Sequence, residues 1–176
     1  GLHEGADVRA TAVEATARGI SFEVDGVLVE SQLRGMFNVE NCLAAFAVAR
    51  SLGIDDSSAV RGLAAVSGVP GRFEPVDAGQ EFAVLVDYAH TPDGVENVLR
   101  AARPLAERKL IVVLGCGGDR DRGKRPLMGR AATDLADLAI VTSDNPRSEH
   151  PLAIIADIES GAREGGAPFA IEPDRR

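Results

Sequence analysis

The chain has 176 residues, 45% of them hydrophobic, with 27 acidic against 19 basic side chains and a formal charge of −8. That length suits one domain or two small ones, the apolar fraction is enough for a core, and the acidity argues against a general nucleic-acid binder. Its two cysteines, Cys42 and Cys116, have neither disulfide nor metal-ligand spacing, and no stretch is apolar for long enough to span a membrane. Free thiols in a reducing compartment follow, and with no charged-then-apolar leader at the start no export is expected. The chain opens on Gly1 in mid-pattern, so a piece of a longer protein is expected.

In chain order, residues 1–35 predict β-structure. Ile20–Val24 and Val27–Glu30 flank Asp25-Gly26, a strong two-residue hairpin signal. A helix follows to about Leu52, with Val39, Leu43 and Phe46 at helical spacing, Asn38 as its cap and Gly53 as its stop. Asp56 or Ser57 starts a second helix through Val66, with Val60 and Leu63 inward. Gly and Pro crowd residues 67–71, which places a domain boundary near residue 70.

Beyond it, strand and helix alternate. Phe82–Val86 predicts a buried strand, and Thr91 with Pro92 opens a helix to about Ala102. Leu110–Leu114 predicts a strand buried on both faces. Pro126 opens a helix through Ala136 with Leu127, Ala131 and Leu135 inward. Leu138–Thr142, a helix from Pro151 to about Gly161, and a strand from Phe169 complete the pattern. Repeated βα units predict an α/β fold with a parallel sheet and right-handed crossovers.

Three polar clusters follow three of these strands: Asp87–His90, Gly115–Arg125 and Asp144–Arg147. In an open α/β sheet they lie along the carboxyl edge, where ligands bind. The middle cluster is the most telling. Its glycines let the backbone approach a ligand or take positive φ, and its last seven residues carry four basic and two acidic side chains in an acidic protein. A small anionic ligand fits, as does a solvated loop with internal ion pairs. Gly118-x4-Gly123-Lys124 has phosphate-loop spacing, but Arg125 stands where Ser or Thr must hold magnesium. Gly115-x-Gly117 begins a dinucleotide fingerprint, but Arg120 occupies the third glycine position. Asp87 suits a ribose diol or a turn cap, and His90 a structural role. Arg147 suits a bidentate carboxylate clamp or an ion pair with Glu149, and His150 a helix end.

Asp144-Asn145-Pro146-Arg147 after a strand, GCGGDRDRGKRP at 115–126 and VDYAHTPD at 86–93 together resemble the Mur ligase family, diaminopimelate-adding branch. GMFNVEN at 35–41 and PGRFE at 70–74 fit in the same order. The resemblance implies a Rossmann-like parallel-sheet C-terminal ligase domain at 71–176, incomplete, preceded at 1–70 by the β/α tail of the central ATPase domain. It implies ATP-dependent amide formation in peptidoglycan precursor synthesis, and so in cell-wall growth, shape and division. An acyl phosphate forms on the nucleotide-linked dipeptide and is attacked by an amine of meso-diaminopimelate.

By the same resemblance Arg120, Asp144, Asn145, Pro146 and Arg147 hold diaminopimelate, while Asn38, Arg72, Asp87 and His90 line the ATP site. Lysine-adding relatives lack the arginine of the Asp-Asn-Pro-Arg motif. His150 departs from the family, which has an acid before the proline. ATP and Mg2+ are implied, with the metal ligands, phosphate loop and carbamylated lysine outside residues 1–176 and no catalytic residue assigned within them. A cytoplasmic monomer acting on small molecules is implied, with no nucleic-acid or membrane partner. Residues 1–176 alone are expected to be inactive. Competing readings are another Mur ligase, a folylpolyglutamate synthase, an NAD-binding oxidoreductase using Gly115–Gly118, or a non-catalytic module of this fold.

Overall fold

The computed structural model describes residues 1–16 and 18–175; Ala17 and Arg176, the last residue of the second predicted domain, lie outside the described residues. The chain forms two compact units, Gly1–Asp87 and a second beginning at Tyr88.

In the first unit, β1 (Thr11–Thr16), β2 (Gly19–Val24) and β3 (Val27–Ser31) form an antiparallel meander. Asp25 and Gly26 carry φ of 51° and 78°, the two positive values a tight hairpin needs, and Val24 pairs with Val27 across the turn. Alternation buries Ile20, Phe22 and Val24 on one face. Helix α1 (Met36–Ser51) lays Val39, Cys42, Leu43 and Phe46 into the same core, and Gly53 follows its end at φ 78°. Helix α2 (Asp56–Ala64) is capped by Asp55, whose side chain accepts from Ser58 N at 2.9 Å.

Two expectations for this unit are corrected. Asn38 is not the cap of α1: Gly35 holds that position, at φ 87° and without a side-chain bond. Asn38 lies inside the first turn and is 3% exposed. The strand expected over 82–86 is β5 (Val84–Val86), paired antiparallel with β4 (Glu74–Val76) in the first unit, and Phe82 is 69% exposed. A two-stranded ribbon has no second layer to cover it, so its apolar run stays outside the parallel sheet.

The second unit opens with α3 (Pro92–Ala102), capped by Thr91, whose Oγ1 accepts from Gly94 N at 3.1 Å. Then come β6 (Ile111–Leu114), α4 (Lys124–Leu135), β7 (Leu138–Thr142), α5 (Pro151–Ala162) and β8 (Phe169–Glu172). The sheet order is β6-β7-β8, all parallel, with Val113 beside Ile140 and Ile140 beside Ala170. Both crossovers step the same way, so right-handedness places α4 and α5 on one face. There Leu114, Ala139 and Val141 meet Met128, Ala132, Ile154 and Ile158.

The opposite face explains a further correction. Ile111 and Val113 are 51% and 61% exposed, so β6 is not buried on both faces. Helix α4 also starts two residues earlier than Pro126; Ala131 is buried and Leu135 packs against the core as expected, but Leu127 is exposed while Met128, Gly129 and Ala132 also face inward. The cause is the α4–α5 contact, where a Cβ at Gly129 or Gly161 would lie 2.1 Å from Ile158 O or 1.7 Å from Pro126 O. Each unit holds one buried cysteine, Cys42 in the first and Cys116 in the second, and burial pushes the Cys116 thiol up to about 11. Among the described residues no helix is long and apolar enough to cross a membrane.

Candidate active-site loops

Two loops leave the carboxyl ends of neighbouring parallel strands, Gly115–Gly123 after β6 and Ser143–His150 after β7. Their backbones touch. Gly118 N donates to Asn145 O at 2.8 Å, and a Cβ on Gly118 would lie 1.8 Å from Pro146 O. A Cβ on Gly115 would lie 2.7 Å from Thr142 O. The glycines at 115 and 118 therefore serve loop-to-loop docking, and neither has positive φ. Positive φ falls instead on Asp119 (53°) and Arg147 (50°), facing residues of the two loops. Ser148 ties them, donating from Oγ to Asp119 Oδ1 at 2.6 Å and from N to Oδ2 at 3.3 Å.

Arg147 is exposed, and its Nη1 donates to Gly118 O at 2.7 Å. The ion pair with Glu149 left open above is taken by other arginines. Arg125 forms two parallel bonds to Glu149, Nη1 to Oε2 at 3.0 Å and Nη2 to Oε1 at 2.7 Å, and Arg122 reaches Oε2 at 2.8 Å. Asp119 N adds a bond to Oε1 at 2.6 Å. Arg125 and the backbone of Asp119 hold the Glu149 carboxyl down at about 2.

A depressed carboxyl contributes stability above its unfolded value of 4.5 and loses it as the pH falls toward 2. Stability of the second unit should therefore drop across that window. A Glu149→Gln variant followed by denaturant unfolding should show a flatter acid limb, and an identical limb would remove Glu149 as a cause.

Arg120 is exposed, and no ion pair engages it among the described residues. Asp144 is exposed and accepts from Arg175 Nη1 at 2.6 Å rather than pairing with Arg147. Asn145 contributes its carbonyl, and Pro146 is the residue against which Gly118 packs. His150 is the N-cap of α5 without a side-chain bond.

Asn38, Arg72 and Asp87 lie in the first unit and His90 in the second. Asn38 Nδ2 donates to Arg34 O at 2.7 Å, and its Oδ1 accepts from Asn41 Nδ2 at 3.1 Å. Asp87 Oδ2 accepts from Phe73 N at 2.7 Å, where Phe73 has φ 49° and meets Phe37 edge-on at 5.6 Å. His90 Nδ1 lies 3.1 Å from Tyr88 O, and its ring is 5.2 Å from that of Tyr88. Arg72 is exposed. A shallow groove of about 390 Å3 opens elsewhere in the first unit, beside Glu14, Thr16, Glu30 and Gln32, and contains none of the predicted residues.

Sequence reasoning missed Arg125. It stood in a basic run that read either as a site for a small anionic ligand or as a solvated loop, yet it is 1% exposed. The one available signal was Pro126 beside it, which marks a helix start and makes a cation there unusual.

An open parallel α/β unit whose carboxyl-edge loops present arginines defines a Rossmann-like domain suited to anionic small molecules. The chain belongs to the Mur ligase family: residues 71–176 match the family model described as Mur ligase, glutamate ligase domain. It is 50% identical to the UDP-N-acetylmuramoyl-L-alanyl-D-glutamate–2,6-diaminopimelate ligase of Geobacillus thermodenitrificans, across 99% of this chain and 37% of that protein. It is 53% identical to the ligase of the same name from Streptomyces avermitilis, across 92% of this chain and 33% of that one. A solved structure of a diaminopimelate ligase of that name superposes with a TM-score of 0.62 at 40% identity, covering 98% of this chain and 36% of the other. The folylpolyglutamate synthase of Mycobacterium tuberculosis shares the fold, with a TM-score of 0.73 at 21% identity over 96% of this chain and 39% of that one. The chain thus spans about a third of the length of these relatives.

Proposed function

We propose that this chain is part of an ATP-dependent ligase that adds meso-diaminopimelate to UDP-N-acetylmuramoyl-L-alanyl-D-glutamate during peptidoglycan precursor synthesis. Residues 1–70 end its central ATP-binding domain, and 71–176 form most of its C-terminal amino-acid-binding domain. The observation that carries the reading is the guanidinium of Arg147, set at the junction of the two loops by its bond to Gly118 O at 2.7 Å. In a chain half identical to ligases of that name, it offers a clamp for the distal carboxylate of a zwitterionic amino acid. Arg120 binds a second carboxylate. Asp144, with Asn145 and Pro146 shaping the turn, faces the ammonium, for which Arg175 is its present competitor.

The dipeptide's side-chain carboxylate is activated as an acyl phosphate, and the neutral amine of diaminopimelate attacks its carbonyl carbon as phosphate leaves. ATP supplies the phosphoryl group. This chain contributes orientation of the amine rather than acid–base chemistry. The nucleotide-side residues fit ATP by type: Asp87 for the ribose, exposed Arg72 for phosphates and His90 for the nucleotide edge. Asn38, whose amide is oriented by Arg34 O and Asn41 Nδ2, faces the adenine. Mg2+ would take its ligands from elsewhere in the ligase; among the described residues no group of three or more His, Cys, Asp or Glu could hold a metal. A cytoplasmic monomer is part of the proposal.

The complete ligase, assayed for ATP-dependent ligation, should use meso-diaminopimelate and reject L-lysine, and residues 1–176 alone should ligate neither. Asp87→Asn should raise KM for ATP and spare that for the amino acid. Equal use of lysine, or the opposite pattern at Asp87, defeats the assignment.

A further inference from the structure

Arg125 is a cation in a place that physics disfavours. It is the only charged side chain buried among the described residues. It occupies the second position of α4, where the free N–H groups of a helix start repel positive charge. Its Nε has no hydrogen-bond partner among the described residues, so burial is not even fully compensated. It bonds to none of the residues assigned to a substrate: its partners are Glu149, Asp157 at 2.9 Å and Gly117 O at 3.5 Å.

We propose that Arg125 is a positioning residue that, by gripping Glu149, locks the Ser143–His150 loop onto the Gly115–Gly123 loop and so presents the Arg147 guanidinium at one fixed place. This rests on the assignment of Arg147 to the amino-acid substrate. Glu149 stands two residues beyond Arg147, and its carboxylate joins three parts of the unit. Oε1 receives Arg125 Nη2 and Asp119 N, at 2.7 and 2.6 Å. Oε2 accepts from Arg125 Nη1 at 3.0 Å and forms an ion pair with Arg122 Nη2 at 2.8 Å. On the other side of Arg147, Asn145 O receives Gly118 N at 2.8 Å.

Arg147 is thus pinned from both flanks, and the residue across from it, Asp119, shares its left-handed backbone. Two such non-glycine conformations persist only where the surroundings over-determine them. Asp157, on α5, takes a second bond from Arg125 Nη1, so the grip is referred to the rigid helix pair rather than to loops. A planar fork is required: lysine at 125 keeps the charge but cannot make two parallel bonds.

The test uses the complete ligase with Arg125→Lys and Glu149→Gln, reading steady-state kinetics and deuterium exchange of the peptide covering Gly118 and Asp119. Both variants should raise KM for meso-diaminopimelate at least tenfold, leave KM for ATP within twofold and speed exchange of that peptide. If Arg125→Lys does not fold, Glu149→Gln, which keeps shape and size, carries the test alone. Loss confined to kcat or melting temperature, or faster exchange with an unchanged amino-acid KM, makes the residue merely structural and overturns the proposal. If wild type fails to turn over meso-diaminopimelate, the function proposed above falls. The presentation of Arg147 to a substrate then falls with it, and exchange reports the loop contact alone: wild-type rates in both variants exclude the Arg125–Glu149 grip, and faster rates leave it a structural contact.

Discussion

Replacing Arg147 with alanine in the complete ligase is expected to raise the KM for meso-diaminopimelate by about 30-fold to a few thousand-fold, with little change in that for ATP. The range converts the roughly 2–5 kcal/mol lost when one partner of a buried, hydrogen-bonded charge pair is removed, the pair that Arg147 forms once the bound amino acid covers it, at about 1.4 kcal/mol per tenfold. The alanine variant also loses the bond to Gly118 O and still has to adopt φ 50°. Arg147→Gly separates these effects, since glycine takes that backbone without penalty. If the glycine variant binds the amino acid as weakly as the alanine variant while melting higher, the guanidinium and not the backbone carries the affinity. A KM within threefold of wild type in both would remove Arg147 from the site.

The largest stability effects belong to the α4–α5 contact. Gly→Ala inside a helix ordinarily gains about 1 kcal/mol, from lower unfolded-state freedom and better propensity. At Gly161 the added Cβ would sit 1.7 Å from Pro126 O, and at Gly129 2.1 Å from Ile158 O. Both obstacles are backbone, so no rotamer change relieves them, and overpacking of this kind costs about 1–3 kcal/mol or more. The clash wins, and both variants should lose stability. Gly62, in α2, has nothing within 4 Å of its added Cβ, so Gly62→Ala should gain about 0.5–1 kcal/mol. One chemical change thus has opposite signs in the two units, readable by denaturant unfolding. An unharmed Gly161→Ala protein would mean that the helices are not in backbone contact.

Periodic and turn signals carried most of the fold. The Asp25-Gly26 hairpin, the Thr91-Pro92 helix start and the strands over 111–114, 138–142 and 169–172 lie where pattern placed them. Orientation did not follow from pattern. Leu127 points outward because Gly129 must meet Ile158, a fact of α5 invisible within α4. The apolar run at 82–86 looked like a core strand, but its burial depends on which strand it pairs with. At the loops, the motif Asp144-Asn145-Pro146-Arg147 was visible as chemistry. The support beneath it was not: Arg125 and Glu149 are 24 residues apart, and the one local hint was the helix-start proline beside Arg125.

The placement of the two cysteines gives the molecule a built-in pair of reporters. Cys42 is sealed in the first unit and Cys116 in the second, the latter with its thiol pushed up to about 11 by burial. A thiol-reactive dye therefore labels each site only when its own surroundings open. Pulsed labelling along a denaturant gradient, read peptide by peptide, would time the opening of each half of the chain independently, with no engineered probe.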